Sequence, residues 1–219
     1  MILWLCRLQL AEGNRVYMMK KAFLAAAFVV GSLGAGHATT VTNGSFEDNP
    51  LGSGGWDVYP GIPGWTVTSG SGIEIQSSGL LGFPAQDGSY YVELDSYNNS
   101  GISQSVSLSV GRYLLSFWYR PREGVTGTNG IDYSIAGLLA TATITGVAPS
   151  DWIQVTAEFI VTTAGSYDLS FVASENSDSL GGLIDNVSIA AVPVPAGGLL
   201  LLGALGGLAA LRRRKAIAA

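Results

Sequence analysis

The sequence predicts an all-β fold, a jelly-roll β-sandwich, flanked by an N-terminal signal helix and a short C-terminal transmembrane helix. Three observations predict it. The middle of the chain alternates with period two, turn-forming residues separate the alternating runs at short intervals, and long apolar segments are confined to the two ends.

The alternation is clearest in two stretches. In residues 89–95, Tyr90, Val92 and Leu94 share one face, and Tyr91, Glu93 and Asp95 share the other. In residues 112–120, Tyr113, Leu115, Phe117 and Tyr119 oppose Leu114, Ser116 and Trp118. Acidic residues such as Glu93 and Asp95 on a strand face opposite the core are expected to be solvated. Further strands are predicted over residues 65–68, 73–76, 102–109, 131–136, 140–145, 153–161, 167–173 and 183–189, with Gly, Pro, Asn and Asp between them. Residues 49–61 and 123–130 read as long glycine-rich loops, the parts of a sandwich that carry binding surfaces. One internal echo stands out: Gly111, Tyr113, Leu115, Ser116 and Phe117 recur as Gly165, Tyr167, Leu169, Ser170 and Phe171. Each copy follows an extended segment containing a glutamine, Gln104 or Gln154, and the pair predicts two equivalent hairpins in one sandwich.

Charge is sharply partitioned. The whole chain carries −5, but residues 39–195 hold fifteen Asp and Glu against only Arg112, Arg120 and Arg122, a net −12. A domain this acidic repels phosphate backbones, so no nucleic acid is expected as a partner. The single Cys6 and single His37 lie in the N-terminal segment, which removes disulfides, His- or Cys-ligated zinc and His-dependent nucleophilic catalysis from the domain.

Both ends read as targeting devices. Residues 1–18 fit no signal pattern and read as a start assigned too early. Residues 19–38 carry Lys20 and Lys21, then an apolar stretch from Ala22 to Leu33, then small residues that predict signal-peptidase cleavage after Ala38. A membrane anchor is the alternative, but the apolar run is shorter than the ~20 residues of a span. At the other end, Val192, Pro193, Val194, Pro195 and Ala196 precede a Gly, Leu and Ala run over 197–211, closed by Arg212, Arg213, Arg214 and Lys215. As a helix that run would be about 22 Å long, and the basic cluster predicts a cytoplasmic stop with the domain outside. Residues 216–219 form a short tail.

Motif, short apolar segment and basic cluster over residues 192–215 resemble the PEP-CTERM sorting signals of Gram-negative bacteria, in a Val-Pro-x-Pro-Ala variant. The resemblance implies an exosortase as partner and transient anchoring in the membrane. This sequence has Val194 where the name-giving motif has Glu. An ordinary tail anchor is the alternative.

A second resemblance covers roughly residues 40–191. Asn43-Gly44-Ser45-Phe46-Glu47 opens the domain, and Ile62-Pro63-Gly64-Trp65, Asp87-Gly88-Ser89-Tyr90-Tyr91-Val92 and the segment around Gln104 follow. Ile184-Asp185-Asn186-Val187 closes it. The order is similar to galactose-binding-like jelly rolls, including carbohydrate-binding modules and extracellular choice-of-anchor domains. It implies a structural calcium ion held by Glu47 and Asp185; the alternative leaves Glu47 solvated and Asp185 capping a turn.

Trp118, beside Arg120 and Arg122, is the candidate ligand contact, since stacking plus charge-assisted hydrogen bonds suit an acidic polysaccharide; a covering loop is the alternative. Trp65, within a strand, is read as core. No catalytic residue is assigned. The expectation is a non-enzymatic, exported protein of the envelope or exopolysaccharide matrix. A calcium-assisted carbohydrate-binding lectin is the alternative, and a glycoside hydrolase or lyase using carboxylates such as Glu93 and Asp95 ranks last.

Overall fold

The computed structural model describes residues 38–39, 41–48, 51, 55–123, 126–146 and 151–193. The signal segment before Ala38, the sorting residues from Val194 and the basic stop at Arg212 to Lys215 lie outside the described residues. Gly36–Val192 forms one compact unit by contact.

Among the described residues the chain forms two antiparallel sheets. The strands are β1 (Ala38–Thr39), β2 (Trp56–Tyr59), β3 (Gly61–Ile62), β4 (Trp65–Ser69), β5 (Ile73–Ser77), β6 (Tyr90–Glu93) and β7 (Gly101–Leu108). They continue as β8 (Gly111–Arg120), β9 (Ile131–Ile135), β10 (Leu139–Ile144), β11 (Ile153–Val161), β12 (Gly165–Ala173) and β13 (Leu183–Ala191). A seven-stranded sheet runs β11-β8-β13-β6-β5-β2, with β1 added against β13; a six-stranded sheet runs β10-β9-β12-β7-β4-β3. The predicted strands are all present. β2 and β3 are two strands that the glycines of residues 49–61 had hidden as loop, β2 lying on a sheet edge where pairing needs only one neighbour.

The core lies between the sheets and follows the alternation. Tyr113, Leu115, Phe117 and Tyr119 of β8 point inward, and Phe117 meets Phe171 of β12 edge-on at 4.9 Å. Trp65 is buried against Phe46 and Phe171, as expected, and its Nε1 donates to the Asn43 carbonyl at 3.0 Å.

The repeated segments are not hairpins. β7 and β8 belong to different sheets, as do β11 and β12, so each glycine turn carries the chain across the core as an arch. The two arches then pair with each other, β7 with β12 and β8 with β11. The shared tyrosine explains the echo: Tyr113 donates its hydroxyl to the Ser109 carbonyl, and Tyr167 donates to that of Thr163, each locking the corner four residues upstream. Period two specifies which face is buried, but not which strand lies alongside.

The resemblance motifs act as fasteners for the loops. Glu47 Oε1 accepts from the Ser89 and Tyr90 amides at 2.7 and 2.8 Å. The carboxylate occupies the space a side chain on Gly88 would need, since a Cβ there would lie 2.4 Å from Glu47 Cδ. Gln104 bonds both the amide and the carbonyl of Thr42. In β13 the register shifts between Asp185 and Ser188, with Asn186 at φ 48°; the inserted residue lets Ile184, Val187 and Ile189 all face the core. β1 pairs Ala38 with Ala190, so the predicted cleavage point lies beside the last strand. Val192, the first residue of the predicted sorting motif, donates its amide to the Arg112 carbonyl at 2.8 Å.

Candidate functional site

The outer face of the seven-stranded sheet is not the solvated surface its acidic residues suggest. Glu93 and Asp95 are fully buried, which corrects the expectation of solvated carboxylates. The segment between β5 and β6 folds back over this face. Its Phe83 packs on Tyr91 and Leu183 in a small second core, with Leu81, Ala85 and Trp152 at the margin. Arg120 lies over the Phe83 ring at 3.7 Å and pairs with Glu123 and Asp151.

Beside this covered patch opens a cleft of about 340 Å³. Its floor comes from β5, its walls from the segments after β6 and β8, and its rim from β2. Glu74 and Gln76 alternate outward from Ile73 and Ile75, and Trp56 stands opposite Gln76 across the β2–β5 pair. Trp56 and Tyr97 meet edge-on at 6.4 Å and remain 44% and 66% exposed. Such exposed aromatics beside a cleft are the surface feature that calls for a partner.

The polar floor is tightly wired. Glu74 and Glu93 are direct cross-strand neighbours, an arrangement that repels when both are ionised. Gln76 Nε2 donates to Glu74 Oε1 at 2.7 Å and also to Glu93 Oε2. Arg122 donates to the same Glu93 oxygen, and the Gly181 amide donates to Glu93 Oε1 at 2.8 Å. Burial pushes Glu93 up to about 8 in spite of the Arg122 guanidinium, with Glu74 adding to the rise. Burial also raises Glu74, against the hydrogen bond from Gln76 and the charge of Arg122. Gln76 Oε1, on a side chain 1% exposed, has no hydrogen-bond partner among the described residues. Asp95 holds the far wall: its carboxylate accepts from the Ser177 hydroxyl and from the amides of Asp178 and Ser179.

Of the predicted contacts, Arg122 reaches the cleft, while Arg120 lies under Phe83 and Trp118 is half-buried beside Asp185 and Gln154 in the strand register, outside the cleft lining. Trp56 lies in the 49–61 segment read as a binding surface, whereas sequence reasoning missed Glu74, Gln76 and Tyr97, which come from separate segments and form no motif. The outward alternation of Glu74 and Gln76 between Ile73 and Ile75 was the only available signal.

Asp185 and Glu47 lie at the opposite end of the Gln86–Tyr90 segment from one another. Asp185 accepts from the amides of Gln86, Asp87 and Asn186, and burial raises it to about 7. As placed, both Asp185 oxygens and Glu47 Oε1 are taken by amide donors, and among the described residues no group of three or more His, Cys, Asp or Glu could hold a metal ion. A calcium ion at these two residues would need most of its oxygen ligands from the backbone.

Compared with known protein families, the chain matches none. It is 31% identical over 169 residues to part of Halomucin from Haloquadratum walsbyi, a match covering 73% of this chain and 2% of that protein. The chain thus spans a small fraction of that relative's length. Among solved structures it is similar to the Stig cyclase Fisc from Fischerella sp. TAU, with a TM-score of 0.55 and 16% identity over 73% of this chain and all of that one. The carbohydrate-binding module TmCBM61, solved with β-1,4-galactotriose, aligns with a TM-score of 0.44 and 20% identity over 58% of this chain and 88% of its own. The shared fold with cyclases corrects the expectation of a non-enzymatic protein: this sandwich is one on which enzymes are built. Among the described residues no helix is long and apolar enough to cross a membrane.

Proposed function

We propose that the protein is an exported jelly-roll protein of the cell surface or extracellular matrix that binds carbohydrate in the Trp56–Tyr97 cleft. One observation carries the reading: an exposed aromatic pair stands at the rim of a cleft whose floor is built of buried hydrogen-bond acceptors. A sugar ring offers an apolar C–H face to stack on an aromatic ring and hydroxyl donors for carboxylate and amide oxygens. Export is supported by the signal-like residues 19–38 and by the likeness to part of Halomucin. Sorting by an exosortase rests on residues 192–215 alone. A glycan array probed with and without calcium tests the binding. Wild type should retain a glycan that Trp56→Ala loses, and an array blank under both conditions removes the proposal. Intact mass spectrometry tests the processing, with a secreted species starting at Thr39 and ending near Pro195 expected, and a membrane species retaining Arg212 to Ala219 refuting it.

A second reading is favoured by the raised carboxyls, namely that the cleft also performs acid-assisted chemistry on its ligand. Glu74 lines the cleft and would give a proton to a leaving oxygen, while Glu93, with no exposed surface, tunes it from behind. Reducing ends released by wild type and lost in Glu74→Gln would support it; no release from any bound glycan would refute it.

A further inference from the structure

Two arginines stand close to the cleft, and their state decides what the site can accept. Arg122 is committed to Glu93, and Arg120 to Glu123 and Asp151. Each guanidinium already has a carboxyl partner, while among the described residues the buried Arg120 Nε has none. What the cleft offers a ligand besides Arg122 is the Glu74 carboxylate and Gln76 Oε1, which has no partner among the described residues, both of them acceptors. Gln76 is fixed in this sense because its Nε2 is consumed by Glu74 and Glu93, so only its oxygen is left for a ligand. Above the floor stand the faces of Trp56 and Tyr97, where a cation is attracted by the ring quadrupole.

We infer that the cleft selects a ligand bearing a protonated amine, an amino sugar unit whose ammonium sits on Glu74 and Gln76 beneath Trp56. The inference rests on the carbohydrate reading and narrows it, and it turns away the acidic polysaccharide that the arginines first suggested. An ammonium supplies the missing donor to Gln76 Oε1 and pairs with the Glu74 carboxylate. The ionisable groups facing Glu74 are Glu93 and Asp95 from β6 and its following turn, and Arg122 after β8, with Tyr91 and Arg120 further along the face. A cation arriving there favours ionised carboxylates, so binding releases protons into solution.

Calorimetry with a glucosamine trisaccharide and with its fully N-acetylated counterpart tests the assignment on the whole protein. The amine form should bind at least about tenfold more tightly, the difference one charge-assisted contact makes. Its binding heat should vary with the ionisation enthalpy of the buffer, reporting proton release. Glu74→Gln should abolish the preference, and Trp56→Ala, a rim change outside the buried network, should weaken both sugars. Equal or tighter binding of the N-acetylated form overturns the ammonium assignment and leaves carbohydrate binding standing. Binding of neither sugar overturns the assignment too, and the glycan array then decides separately whether the cleft binds any carbohydrate.

Discussion

Glu93 should make the fold less stable as pH rises, and Glu93→Gln should remove that dependence. The carboxyl is ordinary at 4.5 in the unfolded chain and about 8 when buried. Between those values the folded state holds a proton that the unfolded chain has released. Its contribution is therefore complete below pH 4.5 and is lost as pH climbs through 8. A difference of that size corresponds to on the order of 5 kcal/mol. For a domain of this length, this amounts to roughly 10–20 °C in melting temperature. Thermal melts from pH 5 to 9 measure it directly. In Glu93→Gln the new amide can keep the bond from Gly181 but turns a donor toward Arg122 or Gln76, so the variant should be less stable at low pH. That constant offset is separate from the slope, and the slope should shrink. A wild-type midpoint that stays level from pH 5 to 9, or an unchanged slope in the variant, refutes the argument that burial outweighs Arg122.

Three further outcomes follow from the same structure. Phe117→Ala removes a ring held at 4.9 and 5.0 Å from Phe171 and Tyr133 at the centre of the sandwich, and chemical denaturation should show a loss of about 3–5 kcal/mol. Gly88→Ala places a methyl against the Glu47 carboxyl at a φ of 66°, which should cost roughly 1–2 kcal/mol and free the Ser89 and Tyr90 amides to faster hydrogen exchange. Because amides already occupy both Asp185 oxygens and Glu47 Oε1, a chelator should leave the melting midpoint in place. A fall in the midpoint would return the two carboxylates to a calcium site, since a bound ion must stabilise the fold by linkage.

The sandwich was legible because its cause is local. Alternation in residues such as 112–120 is a property of consecutive side chains, and it marked the buried face of β8 correctly at Tyr113, Leu115, Phe117 and Tyr119. Pairing is not local, which is why two arches read as two hairpins. The resemblance motifs were equally readable, and they turn out to hold loops: Glu47, Gln104 and Asp185 each bond backbone groups 42 or more positions away. Of the cleft, only Arg122 and the 49–61 segment that holds Trp56 were marked in the sequence. Trp56, Glu74, Tyr97 and Arg122 come from four segments and meet only after β2, β5 and β6 pair. Glu93 was noticed in the sequence but assigned to water, because nothing in a strand's own pattern announces that a distant segment will fold over its outer face.

That covering segment links the features of the site. By bringing Phe83 down on Tyr91 and Leu183, it removes water from the outer face of β6 and β13. The loss of water acts in opposite ways on the two kinds of charge. A buried carboxyl can shed its charge by keeping a proton, and Glu93 is shifted in that direction. A guanidinium cannot, so Arg120 is held by Glu123 and the Phe83 ring, and Arg122 bonds the Glu93 carboxyl and lies near Glu74. The arginines thus become internal partners, and the acceptor capacity left over collects where the cover ends, at Glu74 and Gln76. The preference of the cleft for a donor over an anion follows from that division. Shortening the cover would undo it by releasing the arginines to solvent.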